Sequence, residues 1–366
     1  MSKVKSILKW LLIGVVGLLT ITFAFGYWFM SLIPKGVDRE SLEQITVKDI
    51  PYLSENVIPQ RGKVLTVVTS ADKMGNTDKK TGYELTELSR AYYVFQANGF
   101  NVDIASPKGG EPSVIIDDED MGPYDFAFLN DAVAQSKAKN TIPIEQINSS
   151  DYSAIYFVGG KGAMFDFPQN IKIQQIVKEL YESNRVVGAV CHGPAALVNV
   201  RLSNGESLID GKEISGFTNN EELFLIPDAP DIFPFLLQDK LVEKGAQFND
   251  GIMYLETVAK DGNLITGQNP WSTWETVEAM VQQMGYKPKP RQITPDEYAV
   301  DVLGVYESSG YDEAKQLIRD LSQEKQPMNR TLLGMHSIVA VMQWRLGKFV
   351  NLLRLMSYAK TESEVS

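Results

Sequence analysis

One stretch restricts the fold of this chain more than any other: Arg185-Val186-Val187-Gly188-Ala189-Val190-Cys191-His192-Gly193-Pro194-Ala195-Ala196-Leu197. A β-branched apolar run ends in Gly-Ala-Val, meets a cysteine and passes through Gly-Pro into an alanine-rich segment. That order predicts strand, sharp turn and helix. Such a turn is a nucleophile elbow, which holds its central residue strained with the side chain exposed. Small neighbours let a carbonyl approach, and amides at the helix start can face a developing oxyanion. Cys191 is the only cysteine in the chain. A lone cysteine is otherwise a small buried hydrophobe. A core cysteine, however, needs neither His192 beside it nor a Gly-Pro turn, and a helix start lowers thiol pKa, so a reactive thiol is expected.

The flanking sequence supplies an α/β frame for the elbow. Residues 63–70 read as a buried strand, 83–98 as a helix stopped by Gly99, and 101–106 as a second strand, the grammar of a parallel βαβ unit. A strand over 152–158 runs into Gly159-Gly160-Lys161-Gly162, and a helix over 171–183 leads to the elbow strand. After the elbow come 213–217, a strand-like run at 264–267 and a closing helix at 274–284. The expected fold is therefore α/β, a doubly wound parallel sheet with Gly159-Gly160 and Cys191 at the strand ends where such sheets bind ligands.

Both termini carry additions. Lys3, Lys5 and Lys9 precede 25 uncharged, mainly apolar residues, 10–34, where a spanning helix needs about 20. The lysine-rich flank predicts a cytoplasmic N-terminus and a catalytic region on the other side of the membrane. The alternative, a cleaved signal peptide, has a shorter apolar region and a small-residue cleavage site, whereas this run ends in Phe25-Gly26-Tyr27-Trp28-Phe29-Met30. Residues 36–61, with Pro51 and Pro59, read as a linker. Lys287-Pro288-Lys289-Pro290 is a breaker. Beyond it, 295–308, 311–323 and 329–360 read as three helices. The last carries Arg345, Lys348, Arg354 and Lys360 and reads as packed on its own domain, with a membrane-surface helix as the alternative. The expected domains are thus 1–35, tail and anchor; 36–61, linker; 62–286, catalytic; and 287–366, a helical extension. A net charge of −11 argues against nucleic acid as the main partner. With one cysteine and only His192 and His336, a zinc or multi-histidine metal site is hard to build, and no metal is expected.

Five ordered motifs then align with one family: Thr81-Gly82-Tyr83-Glu84-Leu85-Thr86-Glu87-Leu88; Gly99 through Ser106-Pro107-Lys108-Gly109-Gly110; Gly159-Gly160-Lys161-Gly162 with Asp166-Phe167-Pro168; Ala189-Val190-Cys191-His192-Gly193-Pro194; and Thr266-Gly267-Gln268-Asn269-Pro270. Over residues 63–286 the chain resembles the DJ-1/PfpI superfamily, nearest to its branch of heat-shock chaperones and glutathione-independent glyoxalases (glyoxalase III). The resemblance implies a flavodoxin-like sheet, a cysteine nucleophile, no organic cofactor and a small carbonyl substrate. It also implies a homodimer, whose usual interface the anchor and helical extension could block. Carried over by position, Cys191 is the nucleophile, His192 its neighbouring acid/base and Glu87 a protonated carboxylic acid at the thiol. Such an acid can move a proton between the two carbons of a 2-oxoaldehyde, giving a 2-hydroxy acid. Glu84 is a rival for that role, because it shares the helix face.

The amides of Gly160, His192 and Gly193 are candidate oxyanion donors. Glu221 and Glu222 match an acidic family stretch and could orient His192, with surface exposure as the alternative. Adjacent side chains normally diverge, so contact between His192 and the sulfur is left open. One departure stands out: Lys161 occupies a position where the family commonly has histidine. It puts a cation beside the oxyanion region, which would lower the thiol pKa or favour an anionic substrate; a lysine reaching to solvent is the alternative. Two further readings compete with a membrane-anchored glyoxalase or glycation-repair enzyme. One is a membrane-anchored chaperone or redox-sensing module that would tolerate loss of Cys191. The other is a glutamine amidotransferase-like hydrolase, which expects a late His-x-Glu pair; the only late histidine, His336, is followed by Ser337-Ile338.

Overall fold

The protein is described by a computed structural model covering residues 2–34, 39–117 and 120–365. Its chain divides into two compact units, Met1–Val37 with Ile293–Ser366, and Asp38–Gln292. The expected edge between anchor and linker, at 35–36, lies outside the described residues. The N-terminal apolar run forms one helix, α1 (Ser2–Leu32).

The Asp38–Gln292 unit is built on a seven-stranded sheet. Its strands are β1 (Gly62–Val67), β2 (Phe100–Ser106), β3 (Ile142–Pro143), β4 (Ala154–Phe157), β5 (Val186–Val190), β6 (Val258–Asp261) and β7 (Leu264–Gly267), in the order β6-β7-β5-β4-β1-β2-β3. All pairings are parallel except β6 with β7. Every residue of β4, β5 and β7 is buried, as a parallel sheet covered on both faces requires. Connections leave in opposite directions from β1 and β4, so the sheet has its switch point there, and β4 and β5 end beside it. The edge strand β6 has no strand signature of its own in the sequence. Val258-Ala259-Lys260-Asp261 has no long apolar run, and its place is set by a turn through Asn263 and Gly262, the latter at φ +59°.

Helix α2 (Leu85–Ala97) follows two residues, Tyr83–Glu84, that pair with Val114–Ile115. It packs against β2, the helix Pro123–Asn130 and the closing helix, so nearly all of it is buried, including Glu87 and Arg90. Helix α3 (Ile171–Glu182) precedes β5, α4 (Asn219–Leu225) follows it, and α5 (Thr273–Gln283) closes the sheet.

Two boundaries differ from expectation. Residues 39–54 are folded rather than extended: short helices at Arg39–Glu43 and Pro51–Ser54 bring Ile50 and Tyr52 into the core. The Lys-Pro-Lys-Pro segment likewise stays with this unit. The Lys289 amide donates to Asn98 Oδ1 at 2.7 Å, its ammonium to the Tyr52 carbonyl at 2.6 Å, and Arg291 pairs with Glu278 at 2.8 Å over the Trp274 ring. Proline ended the regular structure there without ending the packing.

In the other unit, α6 (Pro295–Ser309), α7 (Tyr311–Gln323), α8 (Arg330–Met342) and α9 (Leu346–Val365) follow in turn. The third expected helix is thus two. It breaks at residues 343–345, where Trp344 takes a left-handed conformation, φ +59°, and reverses the chain.

Candidate active site

Strand β5 delivers Cys191 at φ +58°, a conformation costly for a residue with a side chain. It is held from both sides: the Cys191 amide donates to the Gly267 carbonyl on β7, and the Phe217 amide donates to the Cys191 carbonyl, each at 2.9 Å. The segment after it is a 3-10 turn, Gly193–Ala196, rather than the expected helix, and the chain goes on through a turn to a bridge between Arg201 and Ser207. Amides of His192 and Gly193 stand at the open start of that turn, where no intrahelical acceptor exists. Gly159 and Gly160, just past β4, form the opposite wall. A Cβ on Gly159 would lie 2.7 Å from both Cys191 Cβ and Glu87 Oε2, so only glycine lets these groups meet. Gly160, at φ +90°, points its amide at the sulfur.

Two side chains meet the thiol, His192 and Glu87. His192 does turn to it, with Nδ1 3.3 Å from Sγ. Its Nε2 is 2.6 Å from Glu222 Oε2, and both residues are buried. A proton on Nε2, donated to Glu222, leaves the Nδ1 lone pair facing the thiol. Phe217 packs on the imidazole, ring centroids 4.5 Å apart. From α2, Glu87 is fully buried against Cys191, and its Oε2 accepts the Gly159 amide at 2.6 Å. Burial, then the neighbouring Glu84 carboxyl, raises the Glu87 pKa well above the usual carboxylate range, which favours the neutral form of this acid.

Burial also pushes the thiol upward, reinforced by Glu87 and opposed by the Gly160 amide and Lys161. This reverses the expected lowering: only 5 % of Cys191 is exposed, and desolvation outweighs the turn's amides. A buried thiol is more readily activated by giving its proton to a base in place, and His192 Nδ1 is the ring nitrogen within reach of it, at 3.3 Å.

The remaining residues separate clearly. Glu84 is not against the thiol; burial, with Asp117 and Asp120 adding, moves its pKa to about 8, while Lys161 and Arg90 act against them. Lys161 is half-buried, close enough for its charge to act on both Cys191 and Glu84. Glu221 does not orient His192. Its Oε2 accepts the Thr218 amide and hydroxyl, and its Oε1 accepts from the Tyr254 amide, Gln268 and Asn269. A capping signal, Thr218-Asn219-Asn220-Glu221, was present in the sequence and marks Glu221 as structural. Phe217, missed by sequence reasoning, has no signal beyond its place beside that cap. His336 lies on α8 in the other unit, buried, its pKa lowered by burial to about 4. Among the described residues no group of three or more His, Cys, Asp or Glu side chains is placed to hold a metal ion.

The site so built is a cysteine elbow on a parallel α/β sheet, flanked by a histidine–carboxylate pair and a fully buried glutamic acid. Residues 79–216 match the family model described as DJ-1/PfpI family. The chain is 31% identical over 236 residues to Glyoxalase 3 of Candida albicans, covering 60% of this chain and 97% of that protein. It is 33% identical over 231 residues to Glutathione-independent glyoxalase HSP31 of Saccharomyces cerevisiae, 58% of this chain and 94% of that one. Among solved structures, Rapid Encystment Protein 24 kDa of Francisella tularensis is similar at 40% identity with a TM-score of 0.58, over 61% of this chain and 99% of that chain. The chain belongs to the DJ-1/PfpI family.

Proposed function

We propose that the protein is a cysteine-dependent, glutathione-independent glyoxalase that converts a 2-oxoaldehyde such as methylglyoxal, with water, to a 2-hydroxy acid. The observation that carries this reading is Cys191 held between the His192–Glu222 pair and the neutral Glu87. The names of the relatives support the same reaction.

Cys191 Sγ adds to the aldehyde carbon while His192 Nδ1 takes the thiol proton, and Glu222 stabilises the imidazolium. Amides of Gly160, His192 and Gly193 hold the oxyanion until His192 protonates it to a hemithioacetal. Glu87 gives its proton to the ketone oxygen and takes the hydrogen of the former aldehyde carbon, leaving an enediol. It then protonates the second carbon while accepting the hydroxyl proton of the first, so a 2-hydroxyacyl thioester remains. Water, deprotonated by His192, releases the acid and restores the thiol. The neutral Glu87 suits the first of these steps, because only a protonated acid can lie beside the thiol without repelling a developing thiolate.

The working unit is Asp38–Gln292. As a membrane anchor we assign Trp10–Leu32, 23 residues or about 34 Å of helix against about 30 Å of hydrocarbon, with the lysine-rich flank cytoplasmic. A C-terminal reporter active only in the cytoplasm checks the orientation: activity there overturns it. For the chemistry, loss of methylglyoxal without glutathione is followed with the purified full-length protein. Abolished turnover in Cys191→Ala and a strong reduction in Glu87→Gln are expected. A wild type that turns over nothing while its thiol reacts rapidly with an alkylating probe would overturn the substrate assignment and leave the elbow standing. Lys161 would then direct the search to anionic carbonyls.

A further inference from the structure

Exposed apolar side chains in the C-terminal helices are not scattered. Between residues 293 and 365, the exposed large hydrophobics among the described residues are Met335, Ile338, Val341, Met342, Trp344, Leu346 and Val350, all on α8, the turn after it and the first turns of α9. Trp344 at the apex is 86 % exposed and Met342 60 %. Helices α6 and α7 contribute none. Tight packing exists elsewhere in the same unit, with Leu352, Leu355 and Met356 buried, so an unfinished core is not the reason.

The placement of α1 in this unit says what covers the patch. Arg330 Nε, at the start of α8, donates to the Leu32 carbonyl at 3.1 Å. One turn on, a Cβ at Gly334 would lie 3.7 Å from the Phe29 ring. On the returning helix, Phe349 faces Phe25, ring centroids 6.5 Å apart. These contacts run α8 antiparallel to α1, from its C-terminal end back toward its middle. Phe25 lies seven residues before Leu32, roughly 10 Å along the helix. Continued in the same direction, α8 carries the Gln343–Arg345 turn past that level, toward the part of α1 where Leu18, Ile21 and Phe23 are 65 %, 69 % and 79 % exposed.

We infer that the α8–α9 hairpin tip inserts into one leaflet of the membrane beside α1, so that lipid acyl chains cover Met342, Trp344, Leu346 and Val350. The inference rests on α1 being a membrane span. The 13 residues from Arg330 to Met342 put the tip up to roughly 18 Å from the level of Leu32, near the middle of the about 30 Å of hydrocarbon and short of crossing it. The charges at the tip suit such a position. Arg345 and Lys348 both pair with Glu307 of α6, the former at 3.6 Å, which lowers the cost of bringing them near hydrocarbon. At the opposite end of the hairpin, polar contacts take over. Arg319 of α7 donates to Tyr358, and Arg330 donates to Ser363 at 2.7 Å, keeping that end in water.

The test uses full-length Cys191→Ala protein in phosphatidylcholine–phosphatidylglycerol nanodiscs, carrying one environment-sensitive fluorophore on Trp344→Cys, on Val16→Cys in α1, or on Asp320→Cys in α7. Quenching by acyl-chain nitroxides and by aqueous iodide is compared. Expected are nitroxide quenching at 16 and 344, and several-fold stronger iodide quenching at 320 than at 344. Nitroxide quenching at 16 with iodide quenching at 344 equal to that at 320 would overturn the insertion and leave the span intact. Iodide access at all three sites would overturn both. A fluorophore at 344 shielded from both quenchers, with 16 in lipid, would mean a protein surface covers the tip, which also overturns the inference.

Discussion

Cys191 and Trp344 share a backbone conformation and nothing else. Both take φ near +58°, unfavourable for a side chain, by about 1–2 kcal/mol each. Cys191 is 5 % exposed and surrounded by groups whose ionisation burial has shifted; Trp344 is 86 % exposed and stands at the head of an apolar patch. In the elbow, hydrogen bonds to Gly267 and Phe217 fix the turn and the strain serves to aim a sulfur. At the hairpin tip the strain reverses the chain and presents an indole outward. These two left-handed residues sit where polarity is out of place, buried polar groups around Cys191 and exposed apolar groups around Trp344.

Substitutions sharpen the contrast. The largest effect is expected at the elbow: Cys191→Ala lowers methylglyoxal turnover at least about a thousandfold, whereas Trp344→Gly leaves kcat within about twofold; equal losses would break the comparison. Next is Glu222→Gln, which replaces the carboxylate 2.6 Å from His192 Nε2. Turnover falls on the order of a hundredfold and the kcat–pH profile shifts, while circular dichroism is unchanged. A normal pH profile would make Glu222 merely structural.

Third is Glu84, whose folded pKa of about 8 lies above the ordinary 4.5. A raised acid stabilises the fold fully below the unfolded value and loses that contribution as pH rises toward the folded one. The thermal midpoint of Glu84→Gln relative to wild type should therefore climb between about pH 5 and pH 8 and level off above. A flat difference would place Glu84 in water. The smallest effect is at the tip. In detergent, Trp344→Gly should raise stability by about 1 kcal/mol in chemical unfolding, since glycine accepts φ +59° freely. A loss instead would mean the indole packs against the protein.

Periodicity and punctuation made much of the fold legible. The strands β1, β2, β4, β5 and β7 and the helices α2, α3 and α5 are near where apolar runs and glycine stops put them, because buried parallel strands leave long apolar signatures. The Gly-Gly and Cys-His motifs likewise fell together because both end adjacent strands. What escaped was decided at longer range. Pro51 and Pro59 suggested a linker, yet Ile50 and Tyr52 found a core to enter. Lys287-Pro288-Lys289-Pro290 suggested a boundary, yet Lys289 and Arg291 found partners at Asn98 and Glu278.

Sequence alone determined the α/β class, the elbow with its single cysteine, the apolar N-terminal helix and the family resemblance, because each is written in a contiguous run. Tertiary structure decided which acid serves which group: Glu87 rather than Glu84 at the thiol, and Glu222 rather than Glu221 on His192. It also decided the thiol's resting state, since desolvation is a property of everything packed around Cys191 and of no residue beside it in the chain. Where α8 turns followed from the packing of helices about 300 residues apart, Leu32 against Arg330 being 298 positions distant and Phe25 against Phe349 further still.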